Sequence, residues 1–163
     1  MGLFADDRIV TARGTEGGIY FLPGNYLVEI MRCKEGVSFK RKDFFVAECK
    51  ILESDNPARK VGTPCSFMVT VDEYPDLSYG NIADFIRAAM AAKLYEHDGT
   101  ALSAKQISEI EYTKKEAQDV VGEENSLVGI KLRLFAFNKP TKAGNDFTRH
   151  KWSLPTADAD AAS

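Results

Sequence analysis

Between Leu127 and Phe137 the chain alternates with a period of two residues. Ile130, Leu132, Leu134 and Ala136 fall on one side, and Lys131, Arg133, Phe135 and Phe137 on the other. Successive side chains of a strand point to opposite faces, so this pattern predicts a strand with one apolar face and one basic, aromatic face. Cations and rings on one exposed face can neutralise phosphates and stack on unpaired bases. The plainer reading of one such strand is a solvated face whose rings tuck under its neighbours.

The remaining patterns supply four more strands. Tyr26–Cys33 reads as the first, with Tyr26, Val28 and Ile30 on one face. Phe44–Glu53 is the second, with Phe45, Ala47, Cys49 and Ile51 together. Val61–Val71 is the third, pointing Cys65, Phe67, Val69 and Val71 inward, and Pro64 suits its start or an edge. Leu127–Phe137 is the fourth. A hairpin loop over Asn138–Asp146 leads to the fifth, Phe147–Leu154, where Phe147, Arg149 and Lys151 alternate against Thr148, His150 and Trp152.

Helical spacing intervenes after the third strand. Ile82, Phe85, Ile86, Ala89 and Met90 recur at three and four residues and predict a helix over Asn81–Tyr95, stopped by Asp98-Gly99. A second helix is predicted over Ser103–Val120, opened by a Ser103/Gln106 capping box and carrying a thin stripe of Ile107 and Ile110. Residues 1–18 read as a flexible, glycine-rich arm that lacks the lysine and hydroxyl of a phosphate loop. Residues 155–163 read as a disordered tail, leaving one domain over 19–154.

The order is therefore β-β-β-α-α-β-β: mainly β with a helical insert, the order of a five-stranded OB-type barrel. An α+β sandwich with one helix on an open antiparallel sheet is the competing architecture. Closing the barrel makes the first and fourth strands neighbours. The loops that follow those two strands would then flank one face.

Length and composition set the outer limits. At 163 residues the chain suits a single domain with a useful core. No apolar run reaches the length of a membrane span. The N-terminus lacks the basic start and apolar core of a secretory signal, and Asp6 stands where myristoylation wants a hydroxyl. A cytoplasmic location is expected. Cys33, Cys49 and Cys65 lack zinc-site spacing and read as buried, reduced thiols.

The net charge of −3 is unevenly spread. Basic residues gather in Met31–Lys50 and again in Leu127–Trp152, while acids crowd the middle of the chain. Two separated basic segments can form one patch if the fold unites them. Lys40, Arg41, Lys42, Lys131, Arg133, Lys139, Lys142, Arg149 and Lys151 are the candidate phosphate contacts. Phe39, Phe44, Phe135 and Phe137 are the candidate stacking rings. Phe45 and Phe67 are assigned to the core; Trp152, on the face of Thr148 and His150, is either a core cap or a stacking platform, with the core favoured. Phosphate contacts without a base-reading helix imply weak sequence preference.

Catalytic chemistry is sparse. His97 and His150 are the only histidines, and no serine or cysteine sits in an elbow motif beside them. Asp72, Glu73 and Asp76 could be metal carboxylates of a small nuclease, but read more simply as a solvated acidic loop. No catalytic residue, metal or cofactor is expected. A module that contacts a host or replication protein through Asp72–Asp76 and the second helix is the alternative function.

Several stretches resemble a known family. Phe21-Leu22-Pro23-Gly24-Asn25-Tyr26-Leu27-Val28-Glu29-Ile30, Phe45–Ser54, Gly80-Asn81-Ile82-Ala83-Asp84-Phe85, Leu127-Val128-Gly129 and Lys142-Ala143-Gly144-Asn145-Asp146-Phe147-Thr148 are similar to segments of bacteriophage single-stranded-DNA-binding proteins of the OB-fold type. The likeness covers roughly residues 20–154. It implies coating of single-stranded DNA during phage replication or recombination, in the host cytoplasm, without a cofactor. Replication or recombination proteins would be partners, and a homo-oligomer is compatible with the sequence. Such proteins often end in a strongly acidic tail with a terminal aromatic. Here the tail has only Asp158 and Asp160 and ends in Ser163.

Overall fold

A computed structural model describes residues 19–38, 41–71, 75–140 and 146–155. The expected arm and almost all of the expected tail lie outside the described residues, as do Phe39, Lys40, Asp72, Glu73 and Lys142. The strands are β1 (Gly24–Val37), β2 (Asp43–Ser54), β3 (Pro64–Thr70), β4 (Lys131–Pro140) and β5 (Asp146–Ser153). Helices α1 (Pro75–Asp98), α2 (Ala104–Ser108) and α3 (Lys114–Val121) lie between β3 and β4. The strands form one five-stranded sheet in the order β3-β2-β1-β4-β5. Every neighbouring pair is antiparallel.

β1 organises the sheet. It pairs with β2 over Tyr26–Val37 and with β4 over Gly24–Glu29. Two register irregularities, at Leu27/Val28 and Ile30/Arg32, interrupt its pairing with β2. Bulges bend a strand and increase its twist, which curls the sheet. Gly24 starts β1 at φ +155°, and a Cβ there would lie 2.8 Å from Asp55 Oδ1, so the position needs glycine.

The concave face is the core. Tyr26, Val28, Ile30 and Cys33 of β1 are buried there with Phe45, Ala47, Cys49 and Ile51 of β2, Cys65, Phe67 and Val69 of β3, and Leu132, Leu134 and Ala136 of β4. Helix α1 covers this face with Phe85, Ile86, Ala88, Ala89, Ala91 and Ala92. Four alanines keep that side of the helix thin, so its axis can lie close to the sheet. Phe85 packs against Phe45 (5.7 Å between centroids), Phe67 (5.4 Å) and Trp152 (4.9 Å).

The sheet is open. β3 and β5 are its two edges, and no strand pairing joins them among the described residues. The closed barrel expected from the element order is thus not what the hydrogen bonding gives. The edges nevertheless approach on the inside, where Phe67 of β3 meets the rings of His150 (4.9 Å) and Trp152 (5.1 Å) of β5. β1 and β4 are neighbours, as the barrel order requires.

The expected second helix, Ser103–Val120, is two helices. Ser103 and Gln106 do form a capping box, but the helix they open ends at Ser108. Thr113 and Glu116 form a second capping box that starts α3. A second start signal inside one helical pattern divides it. The third strand begins at Pro64 rather than Val61, and the fourth at Lys131 rather than Leu127. Leu127 is instead a buried part of the turn before β4, where Gly129 adopts φ +88°.

Candidate nucleic-acid interface

The convex face of β4 and β5 carries the cations and rings that the sequence placed there. Ile130, Leu132, Leu134 and Ala136 are all 5% exposed or less, so their neighbours in the alternation must face outward. Lys131 and Lys139 are exposed, and Arg133, Phe135 and Phe137 are half-buried. Across the β4–β5 ladder, Phe135 faces Lys151 and Phe137 faces Arg149. Directly opposed side chains on one sheet face lie within contact reach, so each ring has a cation beside it.

Phe135 and Phe137 stack on each other, with centroids 5.1 Å apart and planes 21° from parallel. Neither ring is sealed from solvent. Two rings two residues apart on one strand face, tilted alike, give a short stacking row along β4. Base–aromatic stacking tolerates any sequence because every base has a π-face.

The cations are not equivalent. Arg133 Nη2 donates to Glu53 Oε1 at 3.1 Å, and its side chain is only 22% exposed. Arg133 is therefore committed to bracing β4 across β1 onto β2. Lys131 stands opposite Glu29 of β1, which in turn stands opposite Lys50 of β2. That row presents two cations around one acid, and Lys50 joins the set although the sequence reading had not included it. Its signal was its place on the polar side of β2.

The second basic segment lies elsewhere. Arg41 and Lys42 sit in the β1–β2 turn, where Arg41 takes φ 63° and its N–H donates to Ser38 O at 2.8 Å. Phe44 is half-buried on the same side of β2 as Val46 and pairs with Gly36. The β1–β4 register puts Ala136 opposite Gly24, so β4 runs out past the start of β1. The β1–β2 turn lies past its end. The register thus sets the last residues of β1 and of β4 at opposite ends of their shared ladder, and the loop after β4, with Lys142, lies outside the described residues. β1 is 14 residues long, roughly 45 Å of extended chain at ~3.3 Å per residue.

Trp152, for which the sequence favours the core, packs edge-on against Phe67 and Phe85 but is only part-buried. His150 is held neutral: burial, then the neighbouring Arg149 charge, lower its pKa to about 4. A cavity of about 290 Å³ opens beside these residues, between β5, α1 and α2. Arg87 and Ile107 line it with Phe137 and Trp152. Sequence periodicity had assigned Ile107 only to a helix stripe and gave Arg87 no role.

Burial raises the thiol pKa of Cys33 to about 12 and that of Cys65 to about 11, and lifts Cys49 well above its usual value. These thiols stay protonated, as buried core cysteines should. Asp76 lies in the first turn of α1. Among the described residues no three His, Cys, Asp or Glu side chains converge as a metal site would require. No described helix is long and apolar enough to cross a membrane. The chain matches no protein-family model, and comparison with curated proteins finds no relative.

Proposed function

We propose that this protein binds single-stranded DNA, with little sequence preference and no catalysis, on the convex face of β4 and β5. The observation that carries the reading is the stacked Phe135–Phe137 pair, part-exposed and flanked across the ladder by Lys151 and Arg149. The rings would stack on bases while Lys131, Lys139, Arg149 and Lys151 take phosphates. Each stacked base would contribute on the order of 1–3 kcal/mol.

The same reading treats the sheet as an OB-type barrel, open at the seam between β3 and β5. The order β3-β2-β1-β4-β5, the helices between β3 and β4, and the approach of Phe67 to His150 and Trp152 support it. A role in phage DNA replication or recombination, in the host cytoplasm and beside other replication or recombination proteins, follows from the sequence resemblance alone.

A titration of fluorescent oligo-dT at two salt concentrations tests the reading. Four cations on phosphates predict a log–log salt slope of about −3, using ~0.7 counterions released per contact on a single strand. Lys131→Glu with Lys151→Glu should weaken binding more than Lys114→Glu with Lys115→Glu on α3. Absence of binding at low salt, or equal effects of the two pairs, would overturn the assignment.

A further inference from the structure

We propose that the trough between β5 and helices α1 and α2 seats one nucleotide of the bound strand. This inference rests on the single-strand reading above and extends it from a flat face to a specific seat.

The cavity measures about 290 Å³. That is close to the lower end of small-molecule sites, about 300 Å³, and suits a single nucleotide better than a larger ligand. The residues lining it include the aromatic Phe137 and Trp152 and the apolar Ala88 and Ile107. Cations surround these walls: Arg87 from α1, and Arg149 and Lys151 from β5. Asp84 is the acid among the lining residues, and it lies 3.8 Å from Arg87. Apolar and aromatic walls with an excess of positive charge match a base joined to a phosphate.

Phe137 links this cavity to the open face. Its ring stacks on Phe135, and the residue is also among those lining the trough. A strand running along Phe135 and Phe137 therefore reaches the cavity without a gap. A second hollow of about 120 Å³ shares Asp84, Arg149 and His150 with the first, so the trough continues along β5. The neutral imidazole of His150 can donate or accept at a base edge. The indole N–H of Trp152, which lines the trough, is buried without a hydrogen-bond partner among the described residues. That unsatisfied donor leaves hydrogen-bonding capacity for a ligand.

Trp152 is the only tryptophan in the chain, so its emission reports on the trough. The experiment follows Trp152 fluorescence and labelled-oligonucleotide anisotropy in parallel, with oligo-dT at low salt. Ala104→Phe and Ser108→Phe, both at exposed positions of α2 that line the cavity, fill it from its rim with little risk to the core. The expected result is saturable quenching of Trp152 that tracks the anisotropy in the parent protein. Both variants should lose the quenching and about tenfold in affinity, the weight of one stacked base. Normal anisotropy with unmoved Trp152 emission, or filled variants that still quench, would overturn the nucleotide seat and leave the β4–β5 face standing. No anisotropy change in the parent protein would overturn both.

Discussion

Asn125 supplies the hydrogen bonds that β1 loses when it runs beyond β4. Past Ile30, the partner of β1 is no longer a strand but the turn before β4. There the Cys33 N–H donates to Asn125 Oδ1 at 2.7 Å, and Asn125 Nδ2 donates to Cys33 O at 2.8 Å. Asn125 is 5% exposed and sits at φ 44°, a conformation that asparagine tolerates better than most residues. Asn125→Ala would leave two buried backbone groups unpaired and add left-handed strain. A loss of about 3 kcal/mol is expected in the urea-unfolding free energy. Asn125→Gly, which relieves the strain alone, should recover only part of it. His150 gives the second prediction at this scale. Its folded pKa, about 4, lies below the ordinary value of 6.5, so the unfolded chain takes up the proton first. Stability from the neutral ring is complete above that ordinary value and is lost as pH falls toward the folded one. By linkage the protein should lose about 2 kcal/mol between neutral pH and about pH 5 through this group. His150→Gln, compared by urea titration over the same range, should lack that part of the decline; an unchanged decline would assign it to carboxylates.

At the scale of elements, the strand that defines the candidate face should separate binding from stability. Phe135 and Phe137 are part-exposed, whereas Leu132 and Leu134 of the same strand are buried. Phe135→Ala should weaken oligo-dT binding by on the order of 1–3 kcal/mol while moving the unfolding midpoint little. Leu134→Ala should do the reverse, costing about 2–5 kcal/mol of stability through the cavity it opens. If Phe135→Ala lowers stability as much as affinity, the ring is structural. This contrast was legible in the sequence because a period of two writes itself directly into side-chain type. The break between α2 and α3 was written there too, as Thr113-Lys114-Lys115-Glu116, but the continuing polar helical composition hid it. The start of β4 was not legible. Leu127 is as buried as a strand residue, and only the turn conformation at Gly129 shows that the ladder has not yet begun. The cavity beside Trp152 was equally invisible, because four separate elements, β4, β5, α1 and α2, build it and none of them signals the others.

At the scale of the molecule, the question is how a chain of net charge −3 meets a polyanion. Local concentration of charge answers it only if the strand touches the basic segments and avoids the rest. Sequence showed two such segments but not their separation, since register is set by the bulges of β1 and by which strands pair. The structure puts Arg41 and Lys42 at one end of β1 and the Phe135–Phe137 row at the other. The contributions of the two segments should therefore depend on ligand length. A short oligonucleotide fits on the β4–β5 face and gains nothing from the distant turn. A longer one follows the sheet and reaches it. Arg41→Glu with Lys42→Glu should leave the affinity for the shortest binding oligo-dT unchanged and shallow the salt slope for a long one by about 1.4, at ~0.7 per lost phosphate contact. Lys131→Glu with Lys151→Glu should weaken both ligands. Equal losses at every length from the turn variants would mean that the two segments converge on one short site through the β3–β5 seam, and the path along β1 would be wrong.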